Sequence, residues 1–476
     1  MTIAALEQKK VSELHEIARR LGIQGYADLR RRDLIYEILG AEADADAETS
    51  DAPARLAPDD RPAVRPRSVS EARPRAETPR PSRRRHSRPR QPISPDWPDY
   101  MQGFDPYAIT LEGLIRKTGV LEILPDGYGF LRSLDYGYLP SPDDIYVSPS
   151  QIKRFSLRIG DTVDGQVRPP KEGERFFALI RVHSVNGRSP EAFDERLGYD
   201  LLTPAYPDRA LRLETTPEAL AARLIELVAP IGKGQRGLIL GPAGSGRTML
   251  LQSLAHAIQA NEPDATILVL LVDERPEDVI DFRRAVPGAE VVASSFGDAP
   301  DRQIHAAELV LEKARRLVEA GRDVVLLLDS LTRLVRAYQH ATDETAAAGP
   351  PTAAMLRAPK QLFGAARAVE EGGSLTVIAT LLTGTGRAGD DAIAEAFEGT
   401  GTMELVLDRY LARRGLHPAV DLAASGTRRE EMLVPPEHLA RLRALRQTLA
   451  GLSPEDALTS LLGRLRDTDS NDALLG

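Results

Sequence analysis

The chain contains no cysteine among its 476 residues, few aromatic residues and no long uninterrupted apolar run. Without cysteine it has no disulfide framework, no thiolate zinc site and no cysteine nucleophile, as is typical of proteins from a reducing compartment. The longest uncharged apolar stretch, residues 372–386, is shorter than the roughly 18 residues of a membrane-spanning helix. Glu7 stands where a signal peptide has its apolar segment. We therefore expect a cytoplasmic protein without a membrane partner.

The net charge of −9 conceals an uneven distribution of charge along the chain. Residues 61–92 carry 11 arginines and two glutamates, so the rest of the chain is strongly acidic. Because this segment is rich in proline and poor in apolar side chains, we expect a disordered linker over residues 41–110, acidic at first and then rich in Arg and Pro. Its arginines either bind RNA by releasing counter-ions or only keep the linker solvated, and composition does not separate the two interpretations.

Hydrophobic patterning divides the remaining sequence into three parts. Residues 1–40 carry apolar residues at helical spacing and predict a small helical module. Residues 111–188 contain short β-rich runs separated by Pro, Gly and Asp turns, which predict a small β-barrel. Over residues 189–476, continuous apolar strands alternate with helices, which predicts a parallel α/β sheet covered on both faces.

A glycine-rich turn joins a predicted strand at residues 238–240 to a predicted helix at residues 248–258. Its sequence is Gly241-Pro-Ala-Gly-Ser-Gly246-Arg247-Thr248. The glycines allow backbone N–H groups to converge on phosphate oxygens, and the Thr248 hydroxyl is a suitable Mg²⁺ ligand. Arg247 stands where a phosphate-binding loop has lysine, and its planar guanidinium is longer and bulkier than an ammonium group. The structural alternative is a strand–helix turn without a ligand, which the acidic residues that follow argue against.

Acidic residues end two of the following apolar strands. We expect Asp329 to hold a Mg²⁺-bound water, although an aspartate at this position also suits a helix cap. We expect Glu274 to polarise the attacking water, and its structural alternative is to supply charge to the first turn of the next helix. Arg409 follows a further apolar strand. It is either an arginine finger that acts on a neighbouring subunit or the partner of Asp408 or another surface carboxylate in a salt bridge, and sequence alone favours the salt bridge.

Aromatic residues alternate with glycine in a predicted strand of the barrel, over Gly127-Tyr-Gly-Phe130. Alternation places both rings on one face, and the glycines leave room for bases to stack on them. The structural alternative is that these rings fill the barrel core, but the interleaved glycines and nearby arginines favour RNA. The same surface would include Tyr146, Phe176, Arg132 and Arg175.

Several long runs resemble the Rho family of bacterial transcription termination factors. Among them are Asp126-Gly-Tyr-Gly-Phe-Leu-Arg-Ser133, Leu271-Val-Asp-Glu-Arg-Pro276 and Leu328-Asp-Ser-Leu-Thr-Arg333. The resemblance implies a multidomain protein with a helical N-terminal module, an OB or cold-shock-type barrel and a RecA-like α/β P-loop ATPase domain. It implies a homohexameric, ATP-driven and RNA-stimulated motor, a 5′–3′ helicase that needs ATP and Mg²⁺. Such a motor binds single-stranded nascent RNA and terminates transcription by RNA polymerase.

The same resemblance assigns roles to individual residues. It makes Glu274 the catalytic base, Arg409 the arginine finger, Arg247 a catalytic residue of the phosphate loop, and Thr248 and Asp329 the Mg²⁺ partners. The implied ATP contacts are Gly232, Lys233, Gly234, Gln235, Arg236, Gly237, Gly244, Ser245, Gly246, Arg247, Thr248, Met249, Arg275 and Phe397. The implied RNA contacts are Gly127, Tyr128, Gly129, Phe130, Leu131, Arg132, Asp144, Ile145, Tyr146, Glu174, Arg175, Phe176 and Arg387.

The sequence departs from the family pattern at two places. Gly244 and Arg247 occupy positions where the family's phosphate loop carries lysines. The first of two expected central RNA loops, at residues 341–352, is short and lacks lysine, whereas the second, at residues 384–391, retains Arg387. These departures leave open an RNA-binding ring with weak or no ATP hydrolysis. A rotary-type ATPase subunit that does not bind RNA is a further alternative, against which the aromatic residues of the barrel argue.

Overall fold

The computed structural model describes residues 115–171, 173–193, 196–342 and 349–476, together with Ile17 and Arg19. The helical module predicted at residues 1–40 and the linker predicted at 41–110 therefore lie, apart from those two residues, outside the described part of the chain. Most of the first central loop also lies outside it. Residues from 115 onward belong to one compact unit, Asp105–Gly476. None of the described helices is long and apolar enough to cross a membrane.

Five strands close into the predicted barrel, in the order β1-β2-β3-β5-β4. Neighbouring strands are antiparallel except β3 and β5, which are parallel. Side chains alternate between the interior and the surface, and Leu121, Leu131 and Val163 lie in the barrel core. The strands are β1 (Ile115–Ile123), β2 (Gly129–Arg132), β3 (Ile145–Val147), β4 (Thr162–Arg168) and β5 (Phe177–Val185), and a short helix, α1 (Pro149–Arg154), follows β3.

The rest of the chain forms the predicted α/β domain around a sheet of order β14-β13-β7-β12-β10-β8-β9. The six strands from β13 to β9 in this order are mutually parallel, and β14 is antiparallel to β13. A small antiparallel extension pairs β6 with β11 and β11 with β12. The strands are β6 (Pro204–Ala205), β7 (Arg236–Gly241), β8 (Thr266–Glu274), β9 (Glu290–Ser295), β10 (Asp323–Asp329), β11 (Arg367–Val369), β12 (Ser374–Leu382), β13 (Met403–Val406) and β14 (Gly426–Thr427).

Helices cover both faces of this sheet, and alternate residues of each central strand enter one of two cores. Ile239 lies in the core beneath α2, α3, α4, α10 and α11, whereas its neighbour Leu238 lies in the core beneath α5 to α8. The helices are α2 (Leu220–Val228), α3 (Arg247–Asn261), α4 (Pro276–Ala285), α5 (Pro300–Glu319), α6 (Leu331–Thr342), α7 (Ala353–Gly364), α8 (Ala388–Phe397), α9 (Arg409–Arg413), α10 (Pro436–Ala450), α11 (Pro454–Arg466) and α12 (Asn471–Leu475).

The parallel strands bring the chemically important residues to one edge of the sheet. Gly241, Glu274 and Asp329 are the last residues of β7, β8 and β10. Because carboxyl ends of parallel strands meet at the same edge, and ligands of open α/β sheets bind there, this edge is the candidate active site.

Candidate nucleotide and RNA sites

The phosphate loop has the backbone that its glycines predict. Gly244 has φ +74° and Gly246 has φ +95°, values that residues with a side chain rarely adopt. Gly246 is the N-cap of the 15-residue helix α3, and no side chain caps that end. The first N–H groups of α3 are therefore available to a bound anion.

The Asp329 carboxylate lies beside the phosphate loop and is 2% exposed. It accepts a hydrogen bond from the Thr248 hydroxyl and one from the Thr380 hydroxyl, each at 2.6 Å. The helix-cap interpretation is wrong, because the Ser330 hydroxyl accepts the hydrogen bond from Arg333 N at the start of α6. The sequence does not single out Thr380, because β12 also contains the hydroxyl residues Ser374 and Thr376.

Glu274 stands at the end of β8, 7% exposed, and forms an ion pair with Arg333 of α6. Burial raises the pKa of the Glu274 carboxyl above its ordinary value, and the charge of Arg333 opposes that rise only in part. The alternative interpretation, charge for the next helix, is wrong: Arg275 is the N-cap of α4, and the acidic residues of its first turn are Glu277 and Asp278. The exposed Arg275 is not part of the buried pair. Arg333 lay within a quoted family run, but the sequence suggested no role for it.

Arg247 folds back onto its own loop in this structure. Its Nη1 donates hydrogen bonds to the carbonyl oxygens of Gly241 and Pro242, the latter at 2.9 Å. Its buried Nε has no hydrogen-bond partner among the described residues. Burial lowers the pKa of the Arg247 guanidinium, because its charged form is poorly solvated there. In this conformation the guanidinium binds loop carbonyls and would have to turn away from them to contact a phosphate.

A cavity of about 780 Å³ adjoins the phosphate loop on the side away from Asp329. Gly244, Met249 and His417 line it, and the Met249 side chain is 67% exposed. The implied adenine contact Phe397 is wrong for this cavity, because Phe397 is fully buried and packs edge-on against Phe363 at 6.1 Å. His417 could not be predicted from the sequence, because only the pairing of β13 with β7 brings the segment after β13 to the phosphate loop.

The implied ATP contacts at residues 232–237 are separated from the phosphate loop by the length of β7. Six residues of strand span roughly 20 Å, so the two sets cannot contact one nucleotide held by this chain alone. Lys233 is already paired with Glu262 at 2.9 Å and Asp323 at 3.0 Å. Gly234, Gln235 and Arg236 instead line a separate groove of about 540 Å³ at the other end of β7.

Four arginines converge on this groove, which we call the arginine groove: Arg236, Arg367, Arg428 and Arg429. No acidic residue lines it, and none of the four forms an ion pair with a residue in the described part of the chain. Arg367 and Arg429 stack over tyrosine rings, at 4.7 and 3.9 Å from the ring centroids. Uncompensated guanidinium groups around a concave surface suit a phosphate or another anion.

Arg409 is exposed at the start of α9. The predicted salt bridge to Asp408 is wrong, because Asp408 instead caps α9 by accepting a hydrogen bond from Tyr410 N at 2.6 Å. Since β13 runs parallel to β7, Arg409 lies at the same sheet edge as this chain's own phosphate loop. At the opposite edge of the sheet, the arginine groove brings together four arginines that form no ion pair with a described residue.

Four aromatic rings form a continuous surface on the barrel, which we call the aromatic platform: Tyr128, Phe130, Tyr146 and Phe176. Phe130 is central, with ring centroids at 5.9 Å from Tyr128, 6.1 Å from Tyr146 and 5.0 Å from Phe176. All four side chains are half-buried, and none belongs to the barrel core, so the core-filling interpretation is wrong. Gly129 is required beneath the platform, because a Cβ there would lie 2.7 Å from the carbonyl oxygen of Glu122. Gly127, at φ +85°, forms the exposed turn before it.

Four implied RNA contacts differ from the sequence interpretation. Leu131 and Ile145 point into the barrel core, so their side chains do not reach the platform surface. Arg132 is 5% exposed, pairs with Asp144 and donates from Nε to Glu122 at 2.6 Å. Its guanidinium lies 5.2 Å from the Phe130 ring centroid and supports that ring from below, instead of standing free for a phosphate. Asp144, 2% exposed, also accepts hydrogen bonds from Ser141 and belongs to the same buried network.

A cavity of about 630 Å³ lies at one side of the platform. Glu174 and Arg175, both exposed, line it together with Tyr146 and Phe176. Two hydrogen bonds from Arg168, with a further one from Lys171 N, lower the pKa of Glu174 to about 2, so this carboxylate is ionised throughout the neutral range. An ionised acceptor beside stacked rings and an exposed arginine can read a base edge and a phosphate together.

The second expected central loop connects β12 to α8, and Arg387 is exposed at the N-cap of α8. The neighbouring Asp390 is buried and paired with Arg336 of α6. Arg387 is therefore accessible to a phosphate, as the sequence predicts, while its loop is tied to the core through Asp390.

Family models match three parts of this chain. Residues 5–47 match the family described as the Rho termination factor N-terminal domain, and residues 117–191 match the Rho termination factor RNA-binding domain. Residues 221–427 match the nucleotide-binding domain of the ATP synthase alpha/beta family. A solved ATPase from a bacterial type III secretion system is 22% identical over 58% of this chain, with a TM-score of 0.47, too low to bear on the fold.

Curated relatives cover nearly the whole chain. The transcription termination factor Rho of Bacillus subtilis is 43% identical over 99% of this chain and 94% of its own length. That of Thermotoga maritima is 41% identical over the full chain and 96% of its own length. The Rho factor of Rhodopirellula baltica is 50% identical over 77% of this chain and 72% of its own length.

Proposed function

We propose that this chain, which belongs to the Rho family of transcription termination factors, is an ATP-driven motor that binds nascent RNA and terminates transcription. The observation that carries the proposal is the presence, in one compact unit, of a phosphate loop with two buried carboxylates and of an exposed aromatic platform. A rotary-type ATPase subunit without RNA would have no use for the platform. We expect the protein to act in the cytoplasm on RNA associated with RNA polymerase, and to unwind RNA in the 5′–3′ direction.

The proposed hydrolysis uses Glu274 as the base that polarises the attacking water. Its raised pKa favours accepting a proton, and Arg333 keeps the carboxylate oriented toward the sheet edge. Thr248 and Asp329 fit Mg²⁺, because a hydroxyl and a carboxylate oxygen lie 2.6 Å apart and both are hard donors. When bound, Mg²⁺ neutralises charge on the β- and γ-phosphates. No cluster of three or more acidic, His or Cys ligands occurs in the described residues, so the nucleotide would supply the remaining ligands.

Arg247 decides between the motor and the alternative of an RNA-binding ring without turnover. Its guanidinium can exchange the carbonyl oxygens of Gly241 and Pro242 for phosphate oxygens, which are stronger acceptors because they are charged. The two buried carboxylates proposed for hydrolysis end neighbouring strands at the same sheet edge as the phosphate loop, which supports the motor. The cavity beside Met249 and His417 is the proposed site of the adenine base.

The proposed homohexamer would reconcile the two separated sets of ATP contacts. If neighbouring subunits pack around a ring, the arginine groove of one subunit faces the nucleotide on the phosphate loop of the next. Residues 232–237 would then contact the neighbour's nucleotide, and a groove arginine such as Arg428 would serve as the finger in place of Arg409.

The test is ATP hydrolysis by the purified protein with and without a C-rich single-stranded RNA, beside the Glu274→Ala and Arg247→Lys variants. We expect RNA-stimulated turnover in the wild type, its loss by at least about a hundredfold in Glu274→Ala, and turnover in Arg247→Lys no lower than in the wild type. A wild type that binds RNA but hydrolyses no ATP, with turnover restored by Arg247→Lys, would replace the motor with the RNA-binding ring.

A further inference from the structure

Helix α5 supports the barrel along its whole length. His305, Glu312 and Glu319 are spaced by seven residues, which places them on one face of the helix, and each contacts the barrel or its connection to the α/β domain. His305 Nε2 lies 3.4 Å from Glu122 Oε1. Gly160 packs so closely on the backbone of Glu312 that a Cβ there would overlap it. Glu319 accepts a hydrogen bond from Tyr199 N at 2.7 Å. The barrel is therefore seated on one helix of the α/β domain.

The same helix carries a buried anchor next to Glu312. Lys313 is 3% exposed, forms an ion pair with Glu290 and donates to the Tyr138 hydroxyl at 2.9 Å. Tyr138 belongs to the segment that follows β2, and its hydroxyl donates to Glu290 at 2.6 Å. Burial and the Glu290 charge both raise the pKa of Tyr138, so its hydroxyl stays protonated. Lys313 therefore joins the segment after β2 to both α5 and β9.

At the His305 end, one carboxylate contacts both the aromatic platform and the α/β domain. Glu122 on β1 lies opposite Phe130 on the neighbouring strand β2, accepts a hydrogen bond from Arg132, and contacts His305. Burial alone would raise the pKa of Glu122, but the close contact with His305 and the hydrogen bond from Arg132 hold that pKa below its ordinary value. A cavity of about 450 Å³, lined in part by Glu122, His305 and Tyr338, leaves room for these side chains to shift.

Helix α5 in turn contacts the helix that holds the proposed base. The Tyr338 hydroxyl of α6 donates to Glu308 of α5 at 3.0 Å. Arg333, on the same helix α6, forms the ion pair with Glu274. Only one pair of packed helices therefore separates the Glu122–His305 contact from the proposed catalytic carboxylate.

We propose that His305 is a positioning residue that couples occupancy of the aromatic platform to ATP hydrolysis, by holding Glu122 and through it Arg132 and Phe130. The proposal rests on the proposed function. A base stacked on Phe130 changes the favoured positions of the Arg132 and Glu122 side chains. Because Glu122 contacts His305, this change in position reaches α5. Coupling of this kind is an interaction free energy between the RNA site and the ATP site. When it is removed, each site still binds its own ligand.

The test replaces His305 and follows RNA binding and ATP turnover separately. In His305→Leu we expect the RNA-stimulated increase in kcat to fall by at least about fivefold, with RNA affinity and turnover without RNA unchanged. His305→Gln keeps a side-chain N–H for Glu122 and should retain most of the stimulation. The matched control is His438→Leu, which removes a histidine of similar exposure that lies 3.7 Å from Asp472, away from the barrel.

The outcomes separate this proposal from the proposed function. If the wild type shows RNA-stimulated turnover and His305→Leu keeps it, the proposal is overturned while the motor stands. If His305→Leu loses RNA affinity in parallel with stimulation, His305 is only part of the platform's scaffold, and the proposal is again overturned. A double-mutant cycle combines His305→Leu with Glu122→Gln. If the two residues act independently, their losses of RNA stimulation add in the double variant. The proposal instead requires the double variant to lose no more stimulation than Glu122→Gln alone. A wild type without stimulation would remove both the proposed function and the coupling.

Discussion

Replacing Phe130 with alanine removes the central ring of the aromatic platform. The ring contacts Tyr128, Tyr146 and Phe176 and lies over the guanidinium of Arg132. Stacking of one base on an aromatic side chain stabilises a complex by about 1–3 kcal/mol, which corresponds to roughly a 5- to 150-fold change in Kd. Because Phe130 also orients its neighbours, we expect the loss in Phe130→Ala to lie in the upper half of that range.

Fluorescence anisotropy of a short, labelled C-rich single-stranded RNA, measured at several salt concentrations, tests this expectation. Phe130 carries no charge, so the slope of log Kd against log salt should not change in Phe130→Ala. Arg175→Ala removes an exposed cation beside the platform, and its slope should fall by about 0.7, the value for one phosphate contact on a single strand. Tyr410→Ala, which removes an exposed ring from the α/β domain, serves as the aromatic control.

Two results would refute the reasoning. An unchanged Kd in a Phe130→Ala protein that melts at the wild-type temperature would mean that RNA does not stack on this ring. A loss of affinity accompanied by a lower melting temperature and a lower salt slope would mean that the ring only supports the barrel, and that the RNA is held by charges that the mutation displaces.

Two further predictions concern the ATP site. Arg428→Ala should abolish RNA-stimulated turnover while leaving ATP binding intact, whereas Arg409→Ala should retain turnover. Binding of a fluorescent nucleotide measures ATP affinity, and steady-state hydrolysis measures turnover. Loss of turnover in Arg409→Ala but not in Arg428→Ala would restore Arg409 as the finger. Arg333→Gln removes the cation that lowers the Glu274 pKa, so that pKa should rise further. Since a base must be deprotonated, the acidic limb of the kcat–pH profile should then shift to higher pH, and an unshifted limb would exclude Glu274 as the titrating base.

The elements of the α/β domain could be predicted because each signal is local. A strand buried on both faces is a continuous apolar run, and a phosphate loop is a glycine pattern between a strand and a helix. The sequence predicts strands over residues 267–272, 290–293, 324–328 and 375–380, and these lie within β8, β9, β10 and β12. The platform was equally local, because alternation along β2 places Tyr128 and Phe130 on one face.

The placement of the ATP contacts could not be predicted, because it depends on the order of strands in the sheet. Nothing in the sequence says that β7 lies between β13 and β12, or that the segment carrying His417 returns beside the phosphate loop. Residues 232–237 and 241–248 are adjacent along the chain, yet one strand puts them at opposite edges. Phe397 was implied as a contact by the resemblance alone, and the sequence does not show that this side chain is buried against Phe363.

Arg132 and Arg175 show that residue type alone does not predict whether an arginine beside the platform contacts RNA. Both lie near a platform ring: the Arg132 guanidinium is 5.2 Å from the Phe130 ring centroid, and that of Arg175 is 6.0 Å from the Phe176 ring centroid. Arg132 is buried by carboxylates from two other strand segments, Glu122 and Asp144, whereas Arg175 stands in solvent. A buried guanidinium with two carboxylate partners orients a ring, and an exposed one attracts phosphate. The partners that decide between these roles are 10 to 12 residues away in sequence and come together only when the barrel closes, so a single arginine acquires its function from the fold.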